Sequence, residues 1–128
     1  NSYNSLELMK DQIKSVIEQL ELPFRIITLC GGDLGFTSAL TYDFEIYSPA
    51  QDKWLEVSSV SNFETYQSNR LKIRYRNSEG KTNLAHTLNG SSLALPRVLA
   101  ALIENNQTEE GITIPKALQP YTGFSIIK

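Results

Sequence analysis

The order of the predicted elements constrains the fold of this chain more than any single motif. An amphipathic helix over residues 4–20 is followed by several strand patterns in succession, and an apolar helix covers about 93–105. The connections between the strands are short, which favours antiparallel pairing, because parallel neighbours need a crossover of a dozen or more residues. The sequence therefore predicts an α+β fold, mainly an antiparallel sheet flanked by helices.

The strand patterns differ in their periodicity. Residues 41–47 alternate, so that Tyr42, Phe44 and Ile46 share a face opposite that of Asp43 and Glu45. The remaining predictions are a buried strand over 25–30, a glycine-dependent turn over 31–35, a strand over 54–59, a short helix within 62–69, and a hairpin that joins 71–75 to 84–88 through a turn at 77–80.

Both long helices carry predicted apolar faces. For the first helix, Asn4 is the predicted N-cap, with Glu7 at capping-box spacing. Its predicted buried stripe consists of Leu6, Met9, Ile13, Val16, Ile17 and Leu20. The packed face predicted for the second helix consists of Leu95, Val98, Leu99, Leu102 and Ile103.

Composition limits the class of protein. The chain has 128 residues, the size of one domain, and its formal net charge of −2 argues against a nucleic-acid footprint over the whole surface. Cys30 is the single cysteine, so an internal disulfide is excluded and a reducing compartment is favoured. The apolar runs are too short to cross a bilayer. Because Asn1 stands in place of an initiator methionine, we expect a piece of a longer polypeptide.

A candidate anion site lies where a polar turn enters the second helix. Arg97 falls within the first turns of this helix, whose N-terminus presents backbone N–H groups and a partial positive charge. A guanidinium beside such a terminus suits phosphate or carboxylate. The alternative is that Gly90, Ser91 and Ser92 serve only as turn and cap residues.

A second candidate site is the segment 56–59. The carboxylate of Glu56 and the hydroxyl of Ser59, three residues apart, suit a hard cation such as Mg²⁺. A regular strand sends Glu56 and Ser59 to opposite faces, so they meet only if the strand bulges near Ser58. The alternative is an exposed Glu56 with the serines ending the strand.

Other polar residues allow more than one interpretation. Asn89 and Ser91 share a parity and suit a small polar ligand, or else they form an Asx turn and a serine cap. His86 is interpreted as a strand residue and Cys30 as buried packing. The basic residues within 70–76 indicate a solvated strand face or a phosphate contact. Phosphate-loop, dinucleotide and CxxC motifs are absent.

Seven blocks of sequence, taken in order, resemble the last third of the seryl-tRNA synthetases, a family of class II aminoacyl-tRNA synthetases. They are residues 22–25 (LPFR), 29–36 (LCGGDLGF), 42–45 (YDFE), 56–63 (EVSSVSNF), 74–76 (RYR), 86–91 (HTLNGS) and 114–121 (IPKALQPY). The resemblance covers almost the whole chain. It implies that residues 1–128 form the C-terminal segment of a class II catalytic domain. It also implies that the N-terminal tRNA-binding arm and motifs 1 and 2 lie outside them.

The resemblance also implies a role for each candidate residue. The arginine of the third class II motif corresponds to Arg97, the implied catalytic residue, which would contact the γ-phosphate of ATP. Glu56 and Ser59 would bind ATP through Mg²⁺, with Val57 and Ser58 on the adenosine side. The implied serine-binding residues are Asn89 and Ser91.

The implied reaction is ATP-dependent activation of L-serine to seryl-adenylate, followed by transfer to tRNA(Ser). We expect a cytoplasmic or organellar enzyme that dimerises when full length, whose isolated fragment is inactive. Leu40 stands where the family usually carries a lysine.

Two alternative functions stay open. One is a synthetase-like ligase that loads an amino acid onto a carrier protein, and the other is a non-catalytic paralogue that acts as a binding partner.

Overall fold

The computed structural model of this chain describes all residues from 1 to 128. Its helices are α1 (Ser2–Gln19), α2 (Tyr66–Leu71), α3 (Leu95–Asn105) and α4 (Gln119–Thr122). Its strands are β1 (Phe24–Thr28), β2 (Leu40–Ser48), β3 (Lys53–Glu64), β4 (Arg74–Arg76), β5 (Thr82–Leu84), β6 (Thr87–Gly90), β7 (Gln107–Thr108), β8 (Gly111–Thr113) and β9 (Ile126–Ile127). None of the helices combines the length and the apolar character that crossing a bilayer requires.

The main sheet has the strand order β1-β2-β3-β6, and every neighbouring pair is antiparallel. Strands β4 and β5 form a separate hairpin, and β7, β8 and β9 form a small sheet near the C-terminus. The mixed helices and antiparallel strands confirm the predicted α+β class. The hydrogen-bonded neighbours β1, β2 and β3 follow one another in the chain, whereas the longer connection from β3 to β6 contains α2 and the β4–β5 hairpin.

Helices α1 and α3 cover the same face of the main sheet. The buried core joins side chains of both helices to those of the two central strands. Its members are Leu6, Ile13, Ile17, Leu20, Leu22, Phe44, Ile46, Val57, Val60, Val98 and Ala101. Phe44 and Ile46 lie in this core as the alternation of β2 predicts, so the opposite face of the sheet is free of both helices.

The first helix differs from its prediction at the N-terminus. Asn1 is the N-cap, and its side chain accepts a hydrogen bond from the N–H of Tyr3 over 3.1 Å. The prediction that Asn4 caps the helix with Glu7 at capping-box spacing is wrong, because the helix begins before both residues. Leu6 lies in the buried stripe as predicted, whereas Val16 is exposed.

The predicted hairpin is only partly correct. Strand β4 pairs with β5, and Gly80, with φ of 77°, lies in the turn between them. The predicted partner strand covers residues 84–88, but only residues 82–84 pair with β4, and residues 87–90 form β6 and pair with β3 instead. This pairing brings the turn-and-helix segment that contains Arg97 next to the centre of the main sheet.

Three further expectations are wrong. Cys30 is exposed, because β1 ends at Thr28 and leaves the thiol in the following turn. Neither Gly31 nor Gly32 has a positive φ, so the turn over 31–35 does not need glycine there for backbone conformation. Leu95 and Leu99 are 74% and 59% exposed, because only one side of α3 faces the sheet.

Candidate functional site

Strand β3 bulges where it pairs with β2. Phe44 lies opposite Ser58, and Glu45 lies opposite Glu56, so that Val57 is the extra residue. Val57 and Ser58 are 1% and 2% exposed, and both turn toward the core side of the sheet. Two consecutive residues on one face are what a bulge produces. The bulge near Ser58 that is needed to bring Glu56 and Ser59 to one face is therefore present.

The bulge places Glu56 and Ser59 on the same face. Residues directly opposite each other on paired strands point to the same side of a sheet. Glu56 is the partner of Glu45, and Ser59 is the partner of Asp43. Since residues 43 and 45 lie two apart on β2, all four side chains share the face that the helices leave free. The cation-binding pair proposed from spacing is thus compatible with the fold.

The segment 91–97 runs along the edge of β3 and is held there by hydrogen bonds to the main chain. The N–H of Ser91 donates to the carbonyl of Ser59 over 3.1 Å, and the N–H of Ser59 donates to Oγ of Ser91 over 3.1 Å. Oγ of Ser58 donates to the carbonyl of Ser91 over 2.5 Å. The N–H of Ala94 donates to the carbonyl of Val57 over 2.6 Å. The bulge and the start of α3 therefore form one structural unit.

Arg97 completes this unit. Its Nη1 donates to the main-chain carbonyl of Glu56 over 2.5 Å. Residues 56 and 97, which the resemblance assigns separately to ATP binding, therefore meet through the main chain of Glu56. Both side chains are exposed, so a ligand can reach them from solvent.

Neither Arg97 nor Glu56 belongs to any ion pair of the molecule. The neighbouring carboxylate of Glu45 is different, because Nε of Arg25 donates to it over 2.5 Å. A guanidinium carries five N–H donors, so one bond to a carbonyl leaves most of them available. The edge of β3 thus holds an exposed cation and an exposed carboxylate, neither of which belongs to an ion pair.

The terminus of α3 contributes less than the sequence suggested. The helix begins at Leu95 rather than near 93, and its N-cap, Ala94, has no capping side chain. Pro96 has no N–H, and the N–H groups of Arg97 and Val98 both donate to the carbonyl of Ala94. Few N–H groups are therefore free, and the anion-binding capacity of this corner depends mainly on the guanidinium. The alternative of a serine cap is wrong, since Ser91 bonds to β3.

Asn89 and Ser91 occupy different environments. Asn89 is exposed and lies opposite Ser61, whose Oγ is 2.7 Å from Oγ1 of Thr41. The hydroxyl of Ser91 accepts from Ser59, so it is partly committed to holding the edge of β3. Of the predicted pair, Asn89 is the residue whose side chain is free on the face of the sheet.

Asp43 was not among the predicted site residues. It is 9% exposed, and its Oδ1 is buried without a hydrogen-bond partner. It lies directly opposite Ser59, on the same face as Glu56. The alternation of β2 placed it on this face, but its burial depends on the neighbouring strands and was not visible in the sequence. A buried carboxylate oxygen with no partner is costly and therefore notable.

The donor set fits only a loosely held cation. No group of three or more His, Cys, Asp and Glu side chains comes close enough to hold a metal. Glu56 and Ser59 supply one carboxylate and one hydroxyl on the same face. Mg²⁺ commonly binds through one or two carboxylates together with the phosphates of a substrate, and keeps several waters. The residues present therefore fit Mg²⁺ that arrives with a nucleotide.

A cluster of shifted pKa values lies on the covered face of the sheet. Hydrogen bonds from Lys10 and then from Tyr42 hold the pKa of the Glu7 carboxyl below its usual value of 4.5, and the same bonds raise the pKa of Lys10 and of Tyr42. This cluster ties α1 to β2 on the covered face of the sheet. The pKa of Tyr47 is raised by its hydrogen bond to Asp52.

The pKa of Tyr3 is raised by its hydrogen bond to Glu64.

The single histidine and the single cysteine of the chain both lie at the surface. His86 lies outside the strands, and its Nδ1 is 2.8 Å from Oγ of Ser2, so it is not the strand residue that was predicted. Sγ of Cys30 lies 3.4 Å from Oδ2 of Asp33.

Comparison with protein-family models gives a match over residues 1–106 to the tRNA synthetase class II core domain (G, H, P, S and T). The serine–tRNA ligase of Salinibacter ruber is 54% identical over 128 residues, and that of Finegoldia magna is 50% identical over 127 residues. Each alignment covers 98% of this chain and 30% of the relative. The chain thus spans about a third of the length of these curated relatives.

Solved structures give the same result. The seryl-tRNA synthetase of Pyrococcus horikoshii, described as complexed with ATP, is 38% identical with a TM-score of 0.89, over 99% of this chain and 30% of the other. The cytoplasmic serine–tRNA ligase of Naegleria fowleri, described as in complex with AMP, is 30% identical with a TM-score of 0.90, over 100% of this chain and 30% of the other.

Proposed function

The chain belongs to the family of the tRNA synthetase class II core domain, and on that premise we propose that it is the C-terminal catalytic segment of a serine–tRNA ligase. The proposed reaction joins the carboxylate of L-serine to the α-phosphate of ATP and releases pyrophosphate. The resulting seryl-adenylate then transfers its seryl group to the 3′ end of tRNA(Ser). The similarity to ligases named for serine supports this choice of amino acid.

In this proposal Arg97 contacts the γ-phosphate of ATP. The guanidinium is exposed, carries unused donors and is oriented by its bond to the carbonyl of Glu56. Its forked donors suit phosphate oxygens better than the point charge of a lysine does. A positioned cation favours the reaction by neutralising charge on the departing pyrophosphate.

Glu56 and Ser59 are the residues proposed to bind ATP through Mg²⁺. When bound, this cation supplies charge neutralisation of the phosphates. The bulge supports the assignment, because it turns both side chains to the exposed face. We also propose that the unpartnered carboxylate of Asp43 helps to order this ligand set from the neighbouring strand.

Val57 and Ser58 are proposed to lie on the adenosine side of the nucleotide. Their side chains are buried on the opposite face, so any contact with the nucleotide is made by the main chain. The carbonyl of Val57 already accepts from Ala94. Their main contribution in this proposal is the bulge itself, which fixes the direction of Glu56 and Ser59.

Asn89 and Ser91 are proposed to bind serine. The free amide of Asn89 can both donate and accept, which suits the amine, hydroxyl and carboxylate of a small amino acid. Ser91 holds the edge of β3 beside it. Neutral hydrogen-bonding groups discriminate strongly when an unmatched substrate leaves them unpaired.

The proposal also includes the partners of a whole ligase. L-serine, ATP and tRNA(Ser) are the proposed substrates, and a homodimer is the proposed assembly of the full-length enzyme. The proposed compartment is the cytoplasm, which is how the Naegleria fowleri relative is described. The observation that carries the proposal is the contact between Arg97 and the main chain of Glu56, because it brings a free cation and a free carboxylate to one edge of the sheet.

Amino-acid-dependent exchange of pyrophosphate into ATP tests the proposal. The assay uses the polypeptide encoded by the gene that contains these residues, with serine, threonine, alanine and glycine in parallel. We expect pyrophosphate exchange that depends on serine. The matched control is Tyr121→Ala, which replaces an exposed side chain in the C-terminal segment. Exchange with another amino acid, or with none, would contradict the proposal.

The acceptor separates the alternatives. A serine–tRNA ligase transfers the activated serine to tRNA(Ser), whereas a carrier-protein ligase transfers it to a protein. A non-catalytic paralogue forms no adenylate at all. We expect labelled serine to appear in tRNA and not in protein.

A further inference from the structure

One carboxylate oxygen on the helix-free face of the main sheet is buried and has no hydrogen-bond partner. It is Oδ1 of Asp43, whose side chain is only 9% exposed. Burying an unpaired polar oxygen costs free energy, and nearly all such atoms in folded proteins have a partner. Since the fold supplies none, the neighbours of Asp43 show what else its carboxylate can bind.

The polar neighbours of Asp43 on its own strand are engaged elsewhere. Two residues further along β2, the carboxylate of Glu45 accepts a hydrogen bond from Nε of Arg25 over 2.5 Å. Two residues before Asp43, Oγ1 of Thr41 lies 2.7 Å from Oγ of Ser61. These two pairs lie on either side of Asp43 along the same face, and neither of them includes it.

Of the two residues directly opposite Asp43 on the neighbouring strands, only one can donate a hydrogen bond from its side chain. The partner on β1 is Ile27, whose side chain is apolar, and the partner on β3 is Ser59. Ser59 uses its main-chain N–H, and not its hydroxyl, in the bond to Oγ of Ser91. Directly opposite residues have Cβ atoms roughly 5 Å apart, so rotation of the Ser59 side chain can bring its hydroxyl to the carboxylate.

The chemistry of a hydroxyl ligand explains why Ser59 needs such a partner. A serine hydroxyl has two lone pairs and one proton. When a lone pair binds a cation, the proton is directed away from the cation and requires an acceptor, and that acceptor fixes the orientation of the ligand. Because no three His, Cys, Asp or Glu side chains converge on a metal site, we assign Asp43 no direct bond to the cation.

We propose that Asp43 is a positioning residue, whose carboxylate accepts the hydroxyl proton of Ser59 and so turns the Ser59 oxygen toward the divalent cation that Glu56 also binds. This inference rests on the proposed function for the nucleotide that brings the cation. In the unliganded protein the same oxygen has no partner, so its burial lowers stability. Binding of ATP with the cation offsets this cost.

The first test measures how ATP binding depends on Mg²⁺. Isothermal titration calorimetry is done with ATP at a series of Mg²⁺ concentrations, without serine, on the polypeptide encoded by the gene. Asp43→Asn keeps the size of the side chain but replaces a charged acceptor by a weaker neutral one. We expect the Mg²⁺ concentration for half-maximal ATP affinity to rise at least about tenfold.

Thr41→Val is the matched control for this test. Thr41 lies on the same strand and the same face as Asp43, is 4% exposed, and has a side-chain hydrogen bond that the change removes. It should leave the Mg²⁺ requirement unchanged. An unchanged requirement for Asp43→Asn, or an equal increase for both variants, would overturn the proposal.

A double variant tests whether Asp43 acts through Ser59. Ser59→Ala removes the hydroxyl that Asp43 is proposed to orient, so adding Asp43→Asn should raise the Mg²⁺ requirement by less than about twofold more. A further increase of about tenfold would show that Asp43 attracts the cation directly by its charge, and it would overturn the positioning role.

The melting temperature without Mg²⁺ and nucleotide gives a readout that is independent of activity. Asp43→Asn removes a buried charge that lacks a partner, so its melting temperature should equal or exceed that of the unmodified polypeptide. Thr41→Val should lower the melting temperature, because it breaks a hydrogen bond that is already formed. A lower value for Asp43→Asn would show that the carboxylate stabilises the fold without the cation, which is contrary to the proposal.

Failure of this inference and failure of the proposed function give different results. Mg²⁺-dependent ATP binding that Asp43→Asn does not alter would overturn the role of Asp43 alone. Absence of Mg²⁺-dependent ATP binding by the unmodified polypeptide would contradict the proposed function and the role of Asp43 together.

Discussion

Nη1 of Arg97 donates a hydrogen bond to the main-chain carbonyl of Glu56 over 2.5 Å, although the two residues are 41 positions apart in the chain. The bond joins the first turn of α3 to the bulged part of β3. It leaves the carboxylate of Glu56 and most donors of the guanidinium available. A charged pair held close together but not neutralised by each other is suited to a ligand that carries both a phosphate and a cation.

The hydrogen bond donated by the Ser58 hydroxyl is expected to stabilise the contact between β3 and the start of α3. The hydroxyl of Ser59 is not expected to stabilise it. Ser58→Ala removes the donor to the carbonyl of Ser91 at a site that is 2% exposed. Loss of this part-buried hydrogen bond should lower the free energy of unfolding by about 0.5–1.5 kcal/mol. Urea denaturation measures the change. Ser59→Ala is the matched control and should leave stability nearly unchanged while weakening Mg²⁺-dependent ATP binding; equal destabilisation by both variants would contradict this account.

Gly90 is expected to be required for close packing of β6. An added Cβ would lie 2.7 Å from Cε of Met9 and 2.8 Å from Cγ1 of Val60. Met9 can move, but Val60 is fully buried, so Gly90→Ala should destabilise the fold by about 1–3 kcal/mol. Gly32→Ala adds the same methyl group where nothing lies within 4 Å, and it should leave the urea midpoint unchanged or slightly raised. The reverse order of the two variants would refute the packing explanation.

Acid should weaken the attachment of α1 to β2. Hydrogen bonds from Lys10 and Tyr42 hold the pKa of Glu7 below 4.5, so its charged form is favoured in the folded chain. That contribution is present above about pH 4.5 and is lost as the pH falls through the lower pKa of the folded state. The stability difference between the unmodified chain and Glu7→Gln should therefore shrink from about pH 6 to about pH 3. Glu18→Gln on the same helix is the control. A stability difference for Glu7→Gln that stays constant over this pH range would contradict the expectation.

The 128-residue chain alone should not charge tRNA. It spans 30% of the Salinibacter ruber and Finegoldia magna relatives, so most of the surface of a whole ligase is contributed by residues outside this segment. A filter assay with labelled serine, ATP and tRNA checks this expectation. Sustained turnover by the isolated chain would show that these residues are sufficient.

The sequence predicted the parts of the site that depend on local periodicity. The alternation of β2 correctly placed Phe44 in the core and Asp43 on the opposite face. The spacing of Glu56 and Ser59 required a bulge if the two were to share a face, and the bulge is present. The burial of Asp43 was not predictable, because it depends on the strands packed beside β2.

Other features depended on long-range packing and were predicted incorrectly. Leu95 and Leu99 have helical apolar spacing, but spacing does not say which apolar residues the sheet covers, and both are exposed. The segment 87–90 has a strand pattern that suits either the hairpin or the main sheet, and the chain uses it beside β3. The pairing of β6 with β3 positions Arg97 beside Glu56. The roles of these two residues were therefore inferred from the family resemblance and not from the local sequence pattern.

A double-mutant cycle on serine-dependent pyrophosphate exchange tests the central claim most directly. The polypeptide encoded by the gene is compared with Arg97→Ala, Glu56→Gln and the double variant. We predict a loss of about 10²–10³-fold for Arg97→Ala, and a combined loss smaller than the product of the single losses, because both side chains act on the same bound triphosphate. Activity of Arg97→Ala equal to that of the unmodified enzyme, or losses that multiply independently, would contradict the account.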